Sequence, residues 1–332
     1  AVVSRAGGPL DGPNSLVDTR IPAPGAPTGH DLLVKVQAVS VNPVDVKVRA
    51  SGNRGDKDRI LGWDASGTVV AVGEDVTLFR PGDEVFYAGA IERSGSYSAR
   101  QLVDERIVGP KPSSLTHAQA AALPLTGITA WEALFDKLSL TQNASGTLLV
   151  LGGAGGVGSI LIQLAKELTS ATVIATASRS ESREWALSLG ADAVVDHSSD
   201  DLAHQILAVA PGGVDWVFTP QSKGRIPLFT EIVRPFGEIV AIDDERDLDL
   251  FALKGKAISW HWELMFTRPR FGYDLEAQHR ALASISELVD AGRIRTTMTK
   301  MLGPIGAEAL REAHQILETG HAVGKIVVAN EV

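Results

Sequence analysis

The sequence predicts an α/β protein in two parts: a small barrel or sandwich of short β-strands, with a doubly wound parallel sheet inserted into it. Three observations carry this expectation. Over about the first 110 residues, short apolar-alternating segments and turn signals recur at roughly ten-residue intervals, the mark of small β architectures. From Thr147 onward strand-like and helix-like segments alternate, the rhythm of βαβ units and a parallel sheet. Residues 297–332 then break that rhythm with a strand, a helix and a final strand, as expected of a tail that returns to the first part. The predicted boundaries are therefore 1–124 with 297–332 for the β part, and 125–296 for the inserted part.

The elements follow in order. Residues 1–25 are rich in Gly and Pro and read as loop around a short strand at Ser15–Asp18. His30 to Val41 alternates through Val34, Val36 and Ala38, a strand. Asn42-Pro43 ends it, because the residue before proline avoids helical geometry, and residues 44–49 make at most a helical turn. Further strands are expected at 62–72, after the Pro81-Gly82 turn, and at 96–106. Thr116 to Leu138 is rich in Ala and Leu and reads as two helices, the second starting near Gly127. The inserted part follows, with strands at 147–151, 172–176, 193–195, 214–218 and 237–242, and helices at 157–168, 181–189, 200–209 and 226–233. A strand at Lys256–Trp260 and an amphipathic helix at Leu275–Ala291 complete it. In the tail, Met301 to Ile305 is strand-like, Ala307–Glu318 is a helix, and Lys325 opens the last strand.

Composition narrows the function classes. The chain has 332 residues, 44% hydrophobic and 21% charged, enough apolar matter for two cores. A net charge of −9 without any dense basic run argues against nucleic acid or an anionic membrane surface as partner. No run of apolar residues reaches the length of a membrane-spanning helix, and the first eight residues lack signal-peptide character, so a cytoplasmic setting is expected. There is no cysteine, which excludes disulfides, thiolate nucleophiles and any sulfur-ligated zinc. The eight histidines form no close ligand pair. His261-Trp-Glu263 comes nearest and reads as an ordinary strand or loop segment.

The most informative stretch is Thr147–Leu168. Thr147 to Leu151 is a buried-strand pattern, five glycines lie between Gly152 and Gly158, and apolar residues then resume at helical spacing. Gly153, Gly155 and Gly158 fit G-x-G-x-x-G in the strand–turn–helix context that makes the pattern meaningful. Backbone there can approach a pyrophosphate, with the helix N-terminus supplying free N–H groups. Gly153, Ala154, Gly155, Gly156, Val157 and Gly158 are thus the expected phosphate cradle. The next strand should end in a carboxylate if the cofactor carries a free ribose 2′-OH. It ends instead in Ala177-Ser-Arg-Ser180. Ser178, Arg179 and Arg183 suit a 2′-phosphate, so NADP(H) is the expected cofactor. Ser178-x-x-Glu181 also reads as a capping box for the following helix, and the two readings are compatible. Topology adds Thr219, Ile242 and Asp243, at the carboxyl ends of later strands, as contacts near the nicotinamide.

The order of parts resembles the medium-chain dehydrogenase/reductase superfamily. The likeness rests on Ala38-Val-Ser-Val-Asn-Pro-Val-Asp-Val-Lys-Val-Arg49, Leu61-Gly-Trp-Asp-Ala-Ser-Gly-Thr-Val69, Arg80-Pro-Gly-Asp-Glu-Val85, Ala122-Leu-Pro-Leu-Thr-Gly-Ile-Thr-Ala-Trp131 and the glycine turn. The Val-Asn-Pro-Val-Asp and Gly-Gly-Ala-Gly-Gly-Val-Gly forms look like its zinc-lacking quinone oxidoreductase (ζ-crystallin-like) branch. Trp260 to Arg268 resembles a subgroup labelled zinc-type alcohol dehydrogenase-like. The resemblance implies a GroES-like β-barrel domain with an inserted Rossmann domain, and a homodimer. Zinc enzymes of this superfamily carry Cys where this chain has Asn42, His where it has Trp63, and a third Cys that this chain lacks. Their neighbouring Glu matches Asp64, expected here to be a structural hydrogen-bonding carboxylate. Their four-Cys lobe would fall at 88–100, where no cysteine stands. Zinc is therefore not expected.

Hydride transfer without a metal needs an acceptor already activated by conjugation, a quinone or an α,β-unsaturated carbonyl. Asn42, at the former ligand position, is a candidate donor to a carbonyl, or a turn residue before Pro43. Lys47 matches a proton-relay position of the zinc enzymes, or is a solvated lysine. Tyr87 is a candidate cleft residue, or core. Thr129 begins the stretch that enters the cofactor cleft in the resembling family, and Thr126 is a contact or a helix cap. Trp63, Trp262, Met265 and Phe266 are candidates for an apolar wall. Two alternatives stand beside an NADPH-dependent quinone or enone reductase: a metal-dependent alcohol dehydrogenase with non-cysteine ligands, and an NADPH-binding protein without significant turnover.

Overall fold

A computed structural model describes residues 1–5, 8–12, 14–52 and 58–330. The chain divides into two compact units, Ala1–Ile128 with Phe266–Val332, and Thr129–Met265. In chain order the first stretch contains β1 (Val2–Ser4), β2 (Val17–Asp18), β3 (Asp31–Ser40), α1 (Pro43–Ala50), β4 (Arg59–Ile60), β5 (Asp64–Val72), β6 (Glu84–Tyr87), β7 (Arg100–Asp104), β8 (Val108–Pro110), α2 (His117–Ala121) and α3 (Pro124–Trp131). The second unit continues with a π-helical turn at Glu132–Lys137, then β9 (Thr147–Val150), α4 (Gly156–Leu168), β10 (Thr172–Thr176), α5 (Ser180–Ser188), β11 (Ala193–Val195), α6 (Leu202–Val209), β12 (Val214–Thr219), α7 (Ile226–Ile232), β13 (Val233–Ala241) and β14 (Ser259–Trp262). Last come α8 (Thr267–Phe271), α9 (Glu276–Asp290), β15 (Met298–Leu302), α10 (Ala307–Glu318) and β16 (Lys325–Ala329).

The first unit is built on a seven-stranded sheet in the order β15-β16-β3-β5-β6-β8, with β7 also paired to β3. The alternation read in β3 is the buried face of this sheet: Leu32, Val34, Val36 and Ala38 are all buried. β16, from the far end of the chain, lies antiparallel to β3 with Val328 opposite Val39. All five of its residues are buried, which explains why that short run is uniformly apolar apart from Lys325. The expected return of the tail is therefore a central strand, covered on both sides.

The second unit is a six-stranded sheet, order β11-β10-β9-β12-β13-β14, all parallel. Such a sheet is covered on both faces, so its strands are continuous apolar runs rather than alternating ones. Leu148, Leu149 and Val150 are fully buried, as are Val173, Ile174 and Ala175. A core of Leu149, Ile174, Ile206, Val217, Phe229 and Ile239 joins the strands to α6 and α7.

Several details differ from the sequence reading. Residues 266–296 lie with the first unit, not with the inserted part. The apolar stripe of α9 packs there: a Cβ on Gly109 would meet Leu282, and Asp290 accepts the amides and hydroxyls of Ser113 and Ser114. Asn42-Pro43 does more than end a strand. Asn42 is extended (φ −127°) and Pro43 opens a two-turn helix, α1, whose Asp45 accepts the Asn42 N–H. Lys256–Trp260 is split: residues 250–256 form a 3₁₀ turn and the strand begins only at Ser259.

Candidate functional site

The glycine turn is built as its sequence requires. β9 runs between β10 and β12, and the Leu151 N–H donates to Phe218 C=O. The chain then bends, with Gly152 N–H donating to the Thr176 hydroxyl (3.0 Å) and Gly153 N–H to the Thr176 carbonyl (3.1 Å). Side chains are excluded at two points. A Cβ on Gly153 would lie 2.7 Å from that of Ala175, and one on Gly158 would lie 2.4 Å from the Gly152 carbonyl oxygen. Neither neighbour is a flexible tip, so both positions demand glycine. The first helical bond of α4 runs from Ser159 N–H to Gly155 C=O. The N–H groups of Gly156, Val157 and Gly158 precede it, and Gly155, Gly156 and Val157 are half-buried rather than sealed in. Free amides at a helix N-terminus, with the helix dipole behind them, suit an anion.

Beyond β10 stand Ala177, Ser178 and Arg179, with no carboxylate among them. Ser178 is half-buried and Arg179 exposed. The expected capping box is displaced by one residue: α5 starts at Ser180, Arg179 occupies the cap position, and the Ser182 hydroxyl accepts the Arg179 N–H and donates to its carbonyl. Ser178 is thus not a cap. Arg183 is held by two carbonyls, Val194 (3.0 Å) and Ala177 (3.4 Å), so it braces the ends of β10 and β11. Thr219 ends β12, and its hydroxyl donates to the Gln221 carbonyl and accepts the Gln221 N–H. Ile242 N–H donates to Thr219 C=O, tying the ends of β12 and β13 together. Asp243 is engaged by Ser222, accepting its N–H (2.6 Å) and its hydroxyl (2.8 Å). It shapes the loop after β12 instead of presenting a free carboxylate. Thr129 is buried in α3. In the first unit, the Thr126 hydroxyl donates back to the Ala122 and Leu123 carbonyls rather than capping a helix start.

The first unit holds a closed polar cluster. Asp64 Oδ2 accepts from the Ser40 hydroxyl and the Asn42 amide, each at 2.7 Å, and pairs with Lys325 Nζ at 3.2 Å. Its Oδ1 accepts Leu125 N–H at 2.7 Å. Lys325 also donates to Asn42 Oδ1 and, at 2.9 Å, to the Val41 carbonyl. Asp45 lies beside them, and burial pushes its pKa up to about 7. Asn42 is buried, with its amide nitrogen donating to Asp64 and its amide oxygen accepting from Lys325, so both atoms are engaged within the cluster. Asp64 is the structural carboxylate expected of it. Lys47 lies on the exposed side of α1. Tyr87 pairs with Ala65 across the sheet, so by strand alternation its side chain leaves on the face opposite Asp64 and Ser66. Its hydroxyl is buried without a hydrogen-bond partner among the described residues, and burial holds the phenol in its neutral form. Trp63 is buried edge-on against Phe266, with its indole N–H on the Ala90 carbonyl at 3.3 Å. Met265 is buried and Trp262 half-exposed.

These residues do not suit zinc. An amide engaged at both oxygen and nitrogen, an indole bonded to a carbonyl and a carboxylate already paired with an ammonium make a poor ligand set, and no group of three His, Asp or Glu side chains suited to a metal occurs among the described residues. Sequence reasoning missed Lys325, whose partner Asn42 is 283 positions away. It also missed a buried acid pair in the second unit, Glu263 with Glu132. Burial, then the neighbouring Glu132, raises the pKa of Glu263 to about 10. His261, of the same segment, bonds Glu238 across the sheet at 3.0 Å.

Comparison with known proteins matches this geometry. Residues 28–124 fit the alcohol dehydrogenase GroES-like domain and residues 189–328 the zinc-binding dehydrogenase model. A zinc-type alcohol dehydrogenase-like protein of Staphylococcus epidermidis is 41% identical over 91% of both chains. The chain belongs to the medium-chain dehydrogenase/reductase superfamily. Another member, the 2-methylene-furan-3-one reductase of tomato (Solanum lycopersicum), is 30% identical over 90% of this chain and 71% of that protein. Among solved structures of the superfamily, one from Rhizobium etli, provisionally described as a zinc-dependent alcohol dehydrogenase, is 50% identical with a TM-score of 0.95, over 99% of this chain and 97% of that one. A mycobacterial member solved with NADPH is 26% identical with a TM-score of 0.84, over 99% of this chain and all of that one. As a member, this chain is an oxidoreductase. Among the described residues no group of side chains suited to the zinc of the family descriptions occurs.

Proposed function

We propose that this chain uses NADPH to reduce quinones or α,β-unsaturated carbonyl compounds, without a metal, as a homodimer acting on small molecules. The observation that carries the reading is the clamped amide of Asn42. Where the zinc enzymes have a thiolate, both its ends are taken by Asp64 and Lys325, so nothing there can polarise an unactivated alcohol or ketone. The cofactor, when bound, supplies a hydride to the β-carbon of a conjugated acceptor. The amides of Gly156, Val157 and Gly158 hold its pyrophosphate, and the loop at Ser178 and Arg179, lacking a carboxylate, favours the phosphorylated ribose. Charge then develops on the acceptor oxygen, and a neutral phenol is suited to answer it. Tyr87 is the candidate donor, because its proton is retained and its hydroxyl is uncommitted. The tomato relative, named as a reductase of an exocyclic enone, supports this substrate class.

The test is a steady-state screen of quinones and enones with NADPH in the presence of a strong chelator. Turnover that persists in chelator, with little oxidation of simple alcohols, is expected. Activity restored only by added zinc overturns the metal-free reading. Tight NADPH binding with no turnover on any acceptor overturns the reductase reading and leaves a binding protein.

A further inference from the structure

The buried indole of Trp63 is covered by a guanidinium that has no ion-pair partner among the described residues. Trp63 is 1% exposed, with Phe266 edge-on beside it, and the Arg59 guanidinium carbon lies 5.5 Å from its ring centroid. Two consecutive carbonyls of one loop fix the stack: Ala90 accepts the indole N–H at 3.3 Å, and Ile91 accepts Arg59 Nη2 at 2.7 Å. A guanidinium pinned at one nitrogen and laid over a ring has given up its rotamer freedom before any ligand arrives. Arg59 is half-buried in β4, and its Nε and Nη1 donate to nothing among the described residues. The carboxylates around it are committed elsewhere. Asp58, its chain neighbour, lies 3.5 Å from Arg5, and Glu92, next to Ile91, lies 3.0 Å from Arg270. Arg270 in turn stacks on Phe271 at 5.6 Å. The loop at 90–92 therefore gathers two ring-backed guanidiniums and one carboxylate, a local excess of positive charge on a chain of net charge −9. Burial, opposed by Glu92, lowers the Arg59 pKa from its ordinary value, the mark of a cation partly stripped of water.

We propose that Arg59 binds a carboxylate on the acceptor, so that the preferred substrates are conjugated carbonyl compounds carrying an acid group. The inference rests on the reductase reading and names its substrate class. Trp63 and Phe266, expected from the sequence as an apolar wall, do pack on one another, and Arg59 is the polar rim of that wall. A carboxylate is planar, and its two oxygens match neighbouring N–H groups of a guanidinium, whereas a neutral ester offers no charge to answer. The guanidinium is already placed and already short of water, so an arriving carboxylate gains more from it than from a free surface arginine.

Matched acceptors test this: benzoylacrylate, an aryl enone bearing a carboxylate, and its methyl ester, each offered with NADPH to the full chain. The two differ in intrinsic reactivity, so the quantity to follow is the ratio of kcat/KM for the acid to that for the ester. Arg59→Gln should lower this ratio about tenfold, chiefly through the KM of the acid, the loss expected of one charge-assisted pair. In wild type the same ratio should fall as salt is raised, because a half-exposed charge pair is screened; this arm needs no variant. An equal loss for acid and ester in Arg59→Gln would mean that the guanidinium merely holds Trp63 in place. A wild-type ratio indifferent to salt would mean that no charge is recognised. Either result overturns the proposal. Benzoylpropionate, the saturated acid, separates this inference from the reductase reading, because its binding, followed by calorimetry, needs no turnover. Binding about tenfold weaker in Arg59→Gln, with no turnover of either acceptor, keeps the carboxylate site and removes the reductase. Equal binding to wild type and variant removes the site whatever the turnover.

Discussion

A buried ammonium held by one carboxylate, one amide and one carbonyl is the most tightly determined group in the first unit. Removing one partner of a buried pair leaves the other charge uncompensated, at a cost of about 3–5 kcal/mol. Lys325→Met is therefore expected to lower urea stability by that order, whereas Asp64→Asn should be milder, because an amide still accepts from Ser40 and Leu125. Equal effects of the two would show that Asp64 does not depend on Lys325. Asp45 gives a pH signature. Burial raises its pKa from the ordinary 3.8 to about 7, so the native state holds a proton that the unfolded chain releases. Its contribution is present in full below 3.8 and is lost as pH rises to about 7. Asp45→Asn, which keeps an acceptor for the Asn42 N–H, should gain stability relative to wild type over that same window; denaturation midpoints at several pH values check it, and a constant difference would refute it. Tyr87→Phe is expected to lower kcat about a hundredfold or more, the usual contribution of a placed acid, with the NADPH dissociation constant unchanged. An unaltered kcat assigns the proton to solvent. At this scale sequence alone was partly sufficient. The absence of cysteine and the identities of Asn42 and Trp63 spoke against zinc without any coordinates. The engagement of Asn42 could not be read there, because its partners are Asp64 and Lys325, brought together only by the pairing of β3 with β5 and β16.

At the scale of the element, the strand–turn–helix from Thr147 to Leu168 was legible because each of its signals is local. The apolar run, the glycines and the helical spacing all lie within one βα unit, and close backbone approach explains why glycine is required. The neighbouring details were less legible for the opposite reason. The start of α5 is decided by the Ser182 hydroxyl, which takes the Arg179 amide and makes Arg179 the cap, whereas the Ser178-x-x-Glu181 spacing points to a cap one residue earlier. Placing α9 failed because periodicity shows which face of a helix is apolar but not which sheet will cover it. Gly158→Ala tests the turn directly. The new methyl would sit 2.4 Å from the Gly152 carbonyl oxygen, so the turn must open. NADPH affinity should fall at least tenfold with a stability loss of about 1–3 kcal/mol, the range for overpacking. Retained affinity would mean that the turn does not hold the pyrophosphate.

At the scale of the whole molecule, the two-part organisation with a returning tail was legible from the break in rhythm after residue 297. The far boundary was not, since 266–296 continues the helical character of the insert while packing elsewhere. The strand just before that segment bears on assembly. β14 is the last strand of its sheet, with neighbours on one side only. An open edge exposes unpaired N–H and C=O groups, and soluble proteins guard such edges with charge, proline or a cover. Ser259-Trp-His-Trp262 has no such guard: Trp262 is 48% exposed and Leu264, just beyond, 52%. Antiparallel pairing of β14 with that of a second copy satisfies the edge under two-fold symmetry and covers both tryptophans. The solution mass is accordingly expected to be twice the 35.1 kDa of the chain. Trp262→Glu should shift it toward one chain mass without abolishing NADPH binding, since the glycine turn lies at β9, three strands in from that edge. Light scattering across a concentration series decides the matter: a wild type that stays at one chain mass, or a variant that dimerises as tightly as wild type, removes β14 as the interface.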